Sequence, residues 1–218
     1  MLGSKGMTNR GSSVGEFIFE TVKRKDVKTI VEIGTYNGLG TTKCIYDGII
    51  ASGKKDYLVI SLECNLSMHN QAKINLSPQL QNFNIVYGTI TDLEEILPQM
   101  QAERSARGQL PWLDEELHHL KNVPNVMHMM PEVIDFLILD GGEYSSAKDW
   151  DKLHERSRII HLDDTRPDMV EDHFGHILKN SEVRKHVLTL PDQFKILEDN
   201  QKLGSCGWCI IENLKCKI

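Results

Sequence analysis

The stretch VKTIVEIGTYNGLGTT, residues 27–42, decides how the rest of the chain is read. Its first seven residues, VKTIVEI, are rich in β-branched side chains, which suits a strand, and Gly34, Gly38 and Gly40 then break the run. From Thr41 to about residue 51 the pattern resumes as a helix. Strand, glycine turn and helix in that order begin a βαβ unit, and the neighbouring sequence extends the rhythm in both directions. Upstream, Ser12 and Ser13 can cap a helix reaching to about Lys25, with Val14, Phe17, Ile18 and Val22 at helical spacing and Glu16 placed for a capping box with Ser13. Downstream come strand 57–63, helix 67–75, strand 84–87, helix 92–99, strand 134–140, helix 146–155 and strand 158–163. Five strands joined by crossover helices form a parallel sheet with right-handed connections, covered on both faces. Residues 169–180 read as a further helix, and strands 193–198 and 207–213 as a terminal hairpin.

With 218 residues, the chain is most simply one domain, at roughly 100 to 200 residues per domain. Within 1–218, residues 1–26 form an N-terminal segment and helix, and 98–131 an insertion or lid that interrupts the alternation. Lys and Arg number 25 against 31 Asp and Glu, with no basic block, so no nucleic-acid partner is expected. No run approaches the roughly 18 apolar residues of a membrane span, and the opening residues are polar and Gly/Ser-rich; a cytoplasmic protein with no membrane partner is expected. Five cysteines are an odd number for a disulfide scaffold. The Cys206-Gly207-Trp208-Cys209 motif leads into a strand near the C-terminus rather than opening a helix, which argues against redox chemistry.

In an open α/β sheet, ligands bind beyond the carboxyl ends of the strands, so the last residue of each strand and the loop after it carry the functional information. The loop after the first strand lets a ligand approach its backbone, and the helix that follows offers free N–H groups. Its glycines are spaced G-x-x-x-G-x-G rather than G-x-G-x-x-G, which disfavours a dinucleotide and an NAD-dependent oxidoreductase. Strand two ends in Glu63, placed to accept the hydroxyls of a ribose. Strand four ends in Asp140 and strand five in Asp163 and Asp164. Three carboxylates on one rim repel one another and ask for a cation, and all-oxygen ligation suits Mg²⁺ or another hard divalent ion.

The loop VEIGTYNGLG, the acid Glu63, the turn LDGGEY at 139–144 and the turn LDD at 162–164, in this order, resemble class I S-adenosylmethionine-dependent methyltransferases. Within them, the last two turns resemble the metal-dependent small-molecule O-methyltransferases, particularly those similar to macrocin O-methyltransferase. The resemblance implies an α/β, Rossmann-like class I methyltransferase fold: a mostly parallel seven-stranded sheet with a C-terminal antiparallel hairpin and helices on both faces. It further implies that Gly34, Thr35, Tyr36 and Gly38 line the methionine part of S-adenosylmethionine, that Glu63 holds its ribose, and that Gly88 and Asp140 complete the cofactor site. Asp140, Asp163 and Asp164 would hold Mg²⁺ or another divalent cation, and Glu143, three residues after Asp140, would act with it as the catalytic pair. The implied partner is a small hydroxylated acceptor such as a sugar, and a homodimer is admitted.

The sequence also departs from that pattern. Gly88-Thr89 lacks the acid that many such enzymes place there for the adenine amino group, and Gly142 stands where sugar methyltransferases often carry a second Asp. His173 and His176 lack a third ligand at metal spacing and read as solvent-facing, and Met127, Met129 and Met130 read as packing residues. A cofactor-binding but catalytically silent domain is the alternative from a different functional class.

Overall fold

The structure, a computed structural model, describes residues 8–108, 110–166, 179–202 and 206–216. Its elements are α1 (Ser13–Lys23), β1 (Thr29–Ile33), α2 (Thr41–Ser52), β2 (Leu58–Glu63), α3 (Leu66–Asn75), β3 (Phe83–Tyr87), α4 (Leu93–Arg107), α5 (Pro111–Leu120), β4 (Ile134–Leu139), α6 (Ser146–Leu153), β5 (Ser157–Asp163), α7 (Ser181–Leu188), β6 (Phe194–Asn200) and β7 (Trp208–Asn213). The strands form one sheet in the order β3-β2-β1-β4-β5-β7-β6. Strands β1 to β5 run parallel, and β7 pairs antiparallel with both β5 and β6. Chain order reverses between β1 and β4, and a crevice opens at their carboxyl ends.

Alternating side chains divide the core between the two faces. Ile30 packs on one face with Val14, Ile18 and Val22 of α1 and Cys44, Ile45 and Ile49 of α2. Val31 and Ile33 face the other side, with Trp150 and Leu153 of α6 and Val183 and Val187 of α7. Because both faces are covered, β4 is buried at all six positions, which is why IDFLIL is apolar everywhere but at Asp135. At the amino edge of the sheet, Asp135 Oδ2 accepts the backbone N–H groups of Lys28 at 2.7 Å and Thr29 at 2.9 Å. Arg158 spans the same edge, donating to Asp26 Oδ2 at 2.6 Å and to Asp135 Oδ1 at 3.5 Å. Hydrogen bonds from Arg24 and Arg158 hold the Asp26 carboxyl well below the usual carboxylate range.

Two local expectations differ from the structure. Ser12, not Ser13, caps α1, accepting from Gly15 N at 3.1 Å, while Glu16 turns to Arg10 at 3.1 Å; the capping box forms instead at α4, between Asp92 and Glu95. Helix α4 does not stop near Gln99 but passes Pro98 and runs to Arg107. A proline inside a helix costs about 3 kcal/mol; here Ile96 and Met100 bury against Leu113, Leu120 and Tyr144, which offsets it. The helix expected over 169–180 lies outside the described residues except for Lys179 and Asn180, which form a turn into α7. His173 and His176 are likewise outside them.

Candidate functional site

The glycine loop is fastened to the neighbouring strand ends by its backbone. The N–H groups of Gly34 and Thr35 both donate to Leu62 O, at 2.9 and 3.0 Å. Gly34 sits at φ 102°, and a Cβ there would run into the carbonyl of Asp140, so only glycine lets β1 and β4 close together at this point. Tyr36 holds a left-handed backbone, φ 51°, rare for a bulky residue. Its N–H donates to Glu63 Oε2 at 2.5 Å, while Glu63 Oε1 accepts from Asn65 N at 2.8 Å. Burial raises the Glu63 carboxyl, against hydrogen bonds from the backbone of Asn65, Tyr36 and Cys64 that lower it. Beneath the loop, Ser61 and Thr42 hydroxyls donate to Glu32 Oε2 at 2.5 and 2.8 Å. Glu32 is fully buried, and desolvation pushes its carboxyl up to about 8.

A cavity of about 480 Å³ follows the carboxyl edge of the sheet. Gly34, Thr35, Tyr36, Glu63, Gly88, Asp140, Glu143, Asp163 and Asp164 all line it, so the fold brings together all but one of the residues singled out from the sequence. The exception is Gly38. At φ 77°, it directs its missing side chain toward Ala72 and Leu76 of α3, 3.1 Å away, and serves the packing of the loop on that helix rather than the cavity wall. Beyond Glu63, the cavity is walled by Cys64, Met68, Thr89, Trp112, His119 and Leu120, with Glu115 and Glu116 of α5 beside them. Asn65 Nδ2 and His119 Nε2 lie 3.1 Å apart and tie α5 to the end of β2.

At the other end, oxygens of Asp140, Asp163 and Asp164 lie within 4.8 Å of one another. Asp164 also holds a left-handed backbone, φ 52°. Burial, then repulsion by its neighbours, raises the Asp163 carboxyl, and burial raises Asp164. The cation that this cluster requires comes from the chain itself. Lys179 Nζ lies 2.9 Å from Asp140 Oδ1, 2.9 Å from Asp164 Oδ2 and 3.3 Å from Gly141 O, with its side chain 6% exposed. A divalent ion bound by the same two carboxylates sits about 2.0–2.6 Å from their oxygens, in the space this ammonium fills. As arranged, the residues do not fit a metal.

Sequence reasoning missed Lys179, Asn180 and Glu116. The demand of three carboxylates for a cation was legible, but a lysine in the stretch after β5 carries no motif that announces it. Asn180 is fully buried and donates to Leu139 O at 3.1 Å and Asp163 O at 2.7 Å, which fixes its neighbour Lys179 against the ends of β4 and β5. Glu116 did leave a signal, being an acid on the apolar face of α5 set by Leu113 and Leu120. It accepts from Tyr144 N and Ser145 N, both at 3.0 Å, which locks the LDGGEY turn to α5; burial raises its carboxyl.

No protein-family model matches the chain, and no curated protein matches it in sequence. Solved structures do match it in shape. An O-methyltransferase from Bacillus cereus, solved in complex with SAH, superposes with a TM-score of 0.60 at 15% identity, covering 96% of this chain and 84% of that one. A proposed O-methyltransferase from Klebsiella pneumoniae gives 0.57 at 16% identity, covering 93% and 80%. A proposed caffeoyl-CoA O-methyltransferase from Staphylococcus aureus gives 0.55 at 18% identity, covering 92% and 82%. At these identities the likeness establishes architecture, and with the strand order above it leads to one conclusion: the chain has the Rossmann-like fold of class I S-adenosylmethionine-dependent methyltransferases.

Proposed function

We propose that this chain is an S-adenosylmethionine-dependent methyltransferase that acts on a hydroxyl oxygen of a small polyhydroxylated acceptor such as a sugar. The observation that carries the reading is one continuous cavity that runs from Glu63, at the end of β2, to the carboxylate cluster of Asp140, Asp163 and Asp164. Its volume of about 480 Å³ is in the range of small-molecule sites, and its acidic lining suits a sulfonium cation. When bound, S-adenosylmethionine supplies a methyl group on a positively charged sulfur. Gly34, Thr35 and Tyr36 orient the methionine part through their backbone, and the Glu63 carboxylate accepts from the ribose. Met68, Trp112 and Leu120 offer apolar surface to the purine, with Thr89 taking the place of the missing acid. The side chains of α5 exclude water from the transfer path. Glu143 accepts the acceptor's hydroxyl proton at a carboxylate oxygen, and Asp140, in the carboxylate cluster, orients both partners. Alignment of the oxygen with the methyl carbon then supplies most of the rate.

Calorimetry with S-adenosylhomocysteine tests the cofactor half of this reading, with NADH as the control. Micromolar binding, about −8 kcal/mol, with none for NADH is the expected result. Glu63→Ala should weaken it roughly 10- to 100-fold, the worth of hydrogen bonds to a charged group. A screen of sugars and catechols with labelled S-adenosylmethionine tests the other half. Absence of S-adenosylhomocysteine binding would remove the reaction, and binding without turnover on any acceptor would favour a silent cofactor-binding domain.

A further inference from the structure

We propose that Lys179 is a built-in cation, its ammonium standing where a divalent ion would otherwise sit among Asp140, Asp163 and Asp164, so that the site neither binds nor needs a metal. Three observations carry this. The first is the position of Nζ, 2.9 Å from one oxygen of each of two carboxylates that come from different strand ends. The second is saturation: an ammonium has three donors, and Asp140 Oδ1, Asp164 Oδ2 and Gly141 O provide three acceptors. The third is delivery. Asn180, next in the chain, is hydrogen-bonded to the last carbonyl of β4 and to the carbonyl of Asp163, and its own N–H donates to Asp164 O at 3.2 Å. The lysine is therefore presented by a backbone pinned to the two strand ends it neutralises, and its side chain is 6% exposed. A hard cation bound by Asp140 and Asp164 would overlap the ammonium and repel it.

The consequence for turnover rests on the methyl-transfer reading; the consequence for metal binding does not. Lys179 acts as a positioning residue. It holds Asp140 and Asp164 in place, and its three donors are spent on the protein, so it makes no contact with the acceptor. Without an ion to chelate two adjacent oxygens, the acceptor is held by hydrogen bonds to carboxylate oxygens, which accept and do not donate. Acceptors with one hydroxyl should then compete on equal terms with vicinal diols and catechols, whereas chelation would favour the latter.

The test is a calorimetric titration of the EDTA-treated full chain with Mn²⁺, for the wild type, Lys179→Met and Lys179→Arg, each also titrated with S-adenosylhomocysteine. The wild type and Lys179→Arg should show no saturable Mn²⁺ binding into the millimolar range. Lys179→Met, which keeps the length of the side chain and removes the charge, should gain one site at least about tenfold tighter, because three unneutralised carboxylates then face one another. Micromolar Mn²⁺ binding by the wild type would overturn the inference, as would a folded Lys179→Met that gains no affinity. Should Lys179→Met fail to fold, the wild-type titration decides alone. Loss of S-adenosylhomocysteine binding with the Mn²⁺ pattern as expected would sink the methyl-transfer reading and leave the built-in cation standing. The reverse pattern would do the opposite.

Discussion

Glu32 shows how much of this site is set by a single buried group. It lies one residue inside the end of β1, was read only as part of a β-branched strand, and proves to be the carboxylate on which Ser61 and Thr42 converge beneath the glycine loop. Desolvation pushes it up to about 8 from the ordinary carboxylate value of 4.5. Between those two values the folded chain holds a proton that the unfolded chain has released, so the group's contribution to stability falls as pH rises. That contribution is fully present below about 4.5, is lost progressively through about 8, and is constant above. Comparing wild type with Glu32→Gln isolates it. The advantage of the wild type over the variant should shrink from pH 5 to 8 in urea unfolding series, and a difference independent of pH would show that Glu32 titrates normally. Such a residue escapes sequence reading because its behaviour depends on complete burial, which no local pattern reports. Glu63 was legible for the opposite reason: it is the last residue of its strand, where topology alone predicts exposure to a ligand.

At the level of elements, the sequence was most informative where one pattern dominated. The β-branched runs of β1, β2, β4 and β5 were readable to within a residue or two, because each is short, apolar and bounded by turn residues. It was least informative in the insertion. Pro98 argues for a helix end, and only the packing of Ile96 and Met100 on α5 explains why α4 continues. The 98–131 insertion was expected as a lid or substrate wall, and Trp112, Glu115, Glu116, His119 and Leu120 of α5 do line the cavity. We propose that α5 is held in that position chiefly by Glu116, whose two oxygens accept the amides of Tyr144 and Ser145. Replacing Glu116 by Ala leaves two buried donors unpaired, at a cost of about 1–3 kcal/mol for each. The expected result is faster proteolytic cleavage between α4 and α5, with Glu116→Gln intermediate because it retains one acceptor oxygen. Unchanged cleavage kinetics in Glu116→Ala would mean that apolar contacts alone hold the helix.

At the scale of the whole molecule, the sheet has two edges with separate duties. The carboxyl edge carries the cavity, while the amino edge carries the network of Asp135, Arg158, Asp26 and the amides of Lys28 and Thr29. Among the described residues, no helix is long and apolar enough to cross a membrane. Asp135→Ala removes the acceptor for two backbone donors, while Arg158 keeps its hydrogen bonds to Asp26, with an expected loss of about 2–3 kcal/mol. For a chain of this size that is on the order of 5–10 °C in melting temperature. S-adenosylhomocysteine affinity should stay at the wild-type value, because no group of the cavity is touched; a parallel fall in affinity would show that the two edges are coupled. The whole-molecule topology was the most legible level of all, since alternation and crossover handedness leave few arrangements open. The closure of the carboxylate cluster by Lys179 was not, because it depends on a contact between residues about 40 positions apart.

The antiparallel turn of β7 also decides how the protein can be held. Since β7 runs against β5, with Glu212 beside Ile159, its last residues lie at the amino edge, where Asn213 Nδ2 donates to His154 O at 2.9 Å and Leu214 N to Gln193 O at 2.8 Å. Thr8, by contrast, lines the cavity. A sensor chip or resin that grips the chain beyond residue 214 would present the open cavity to flowing ligand, whereas attachment ahead of Thr8 would set the matrix across its mouth.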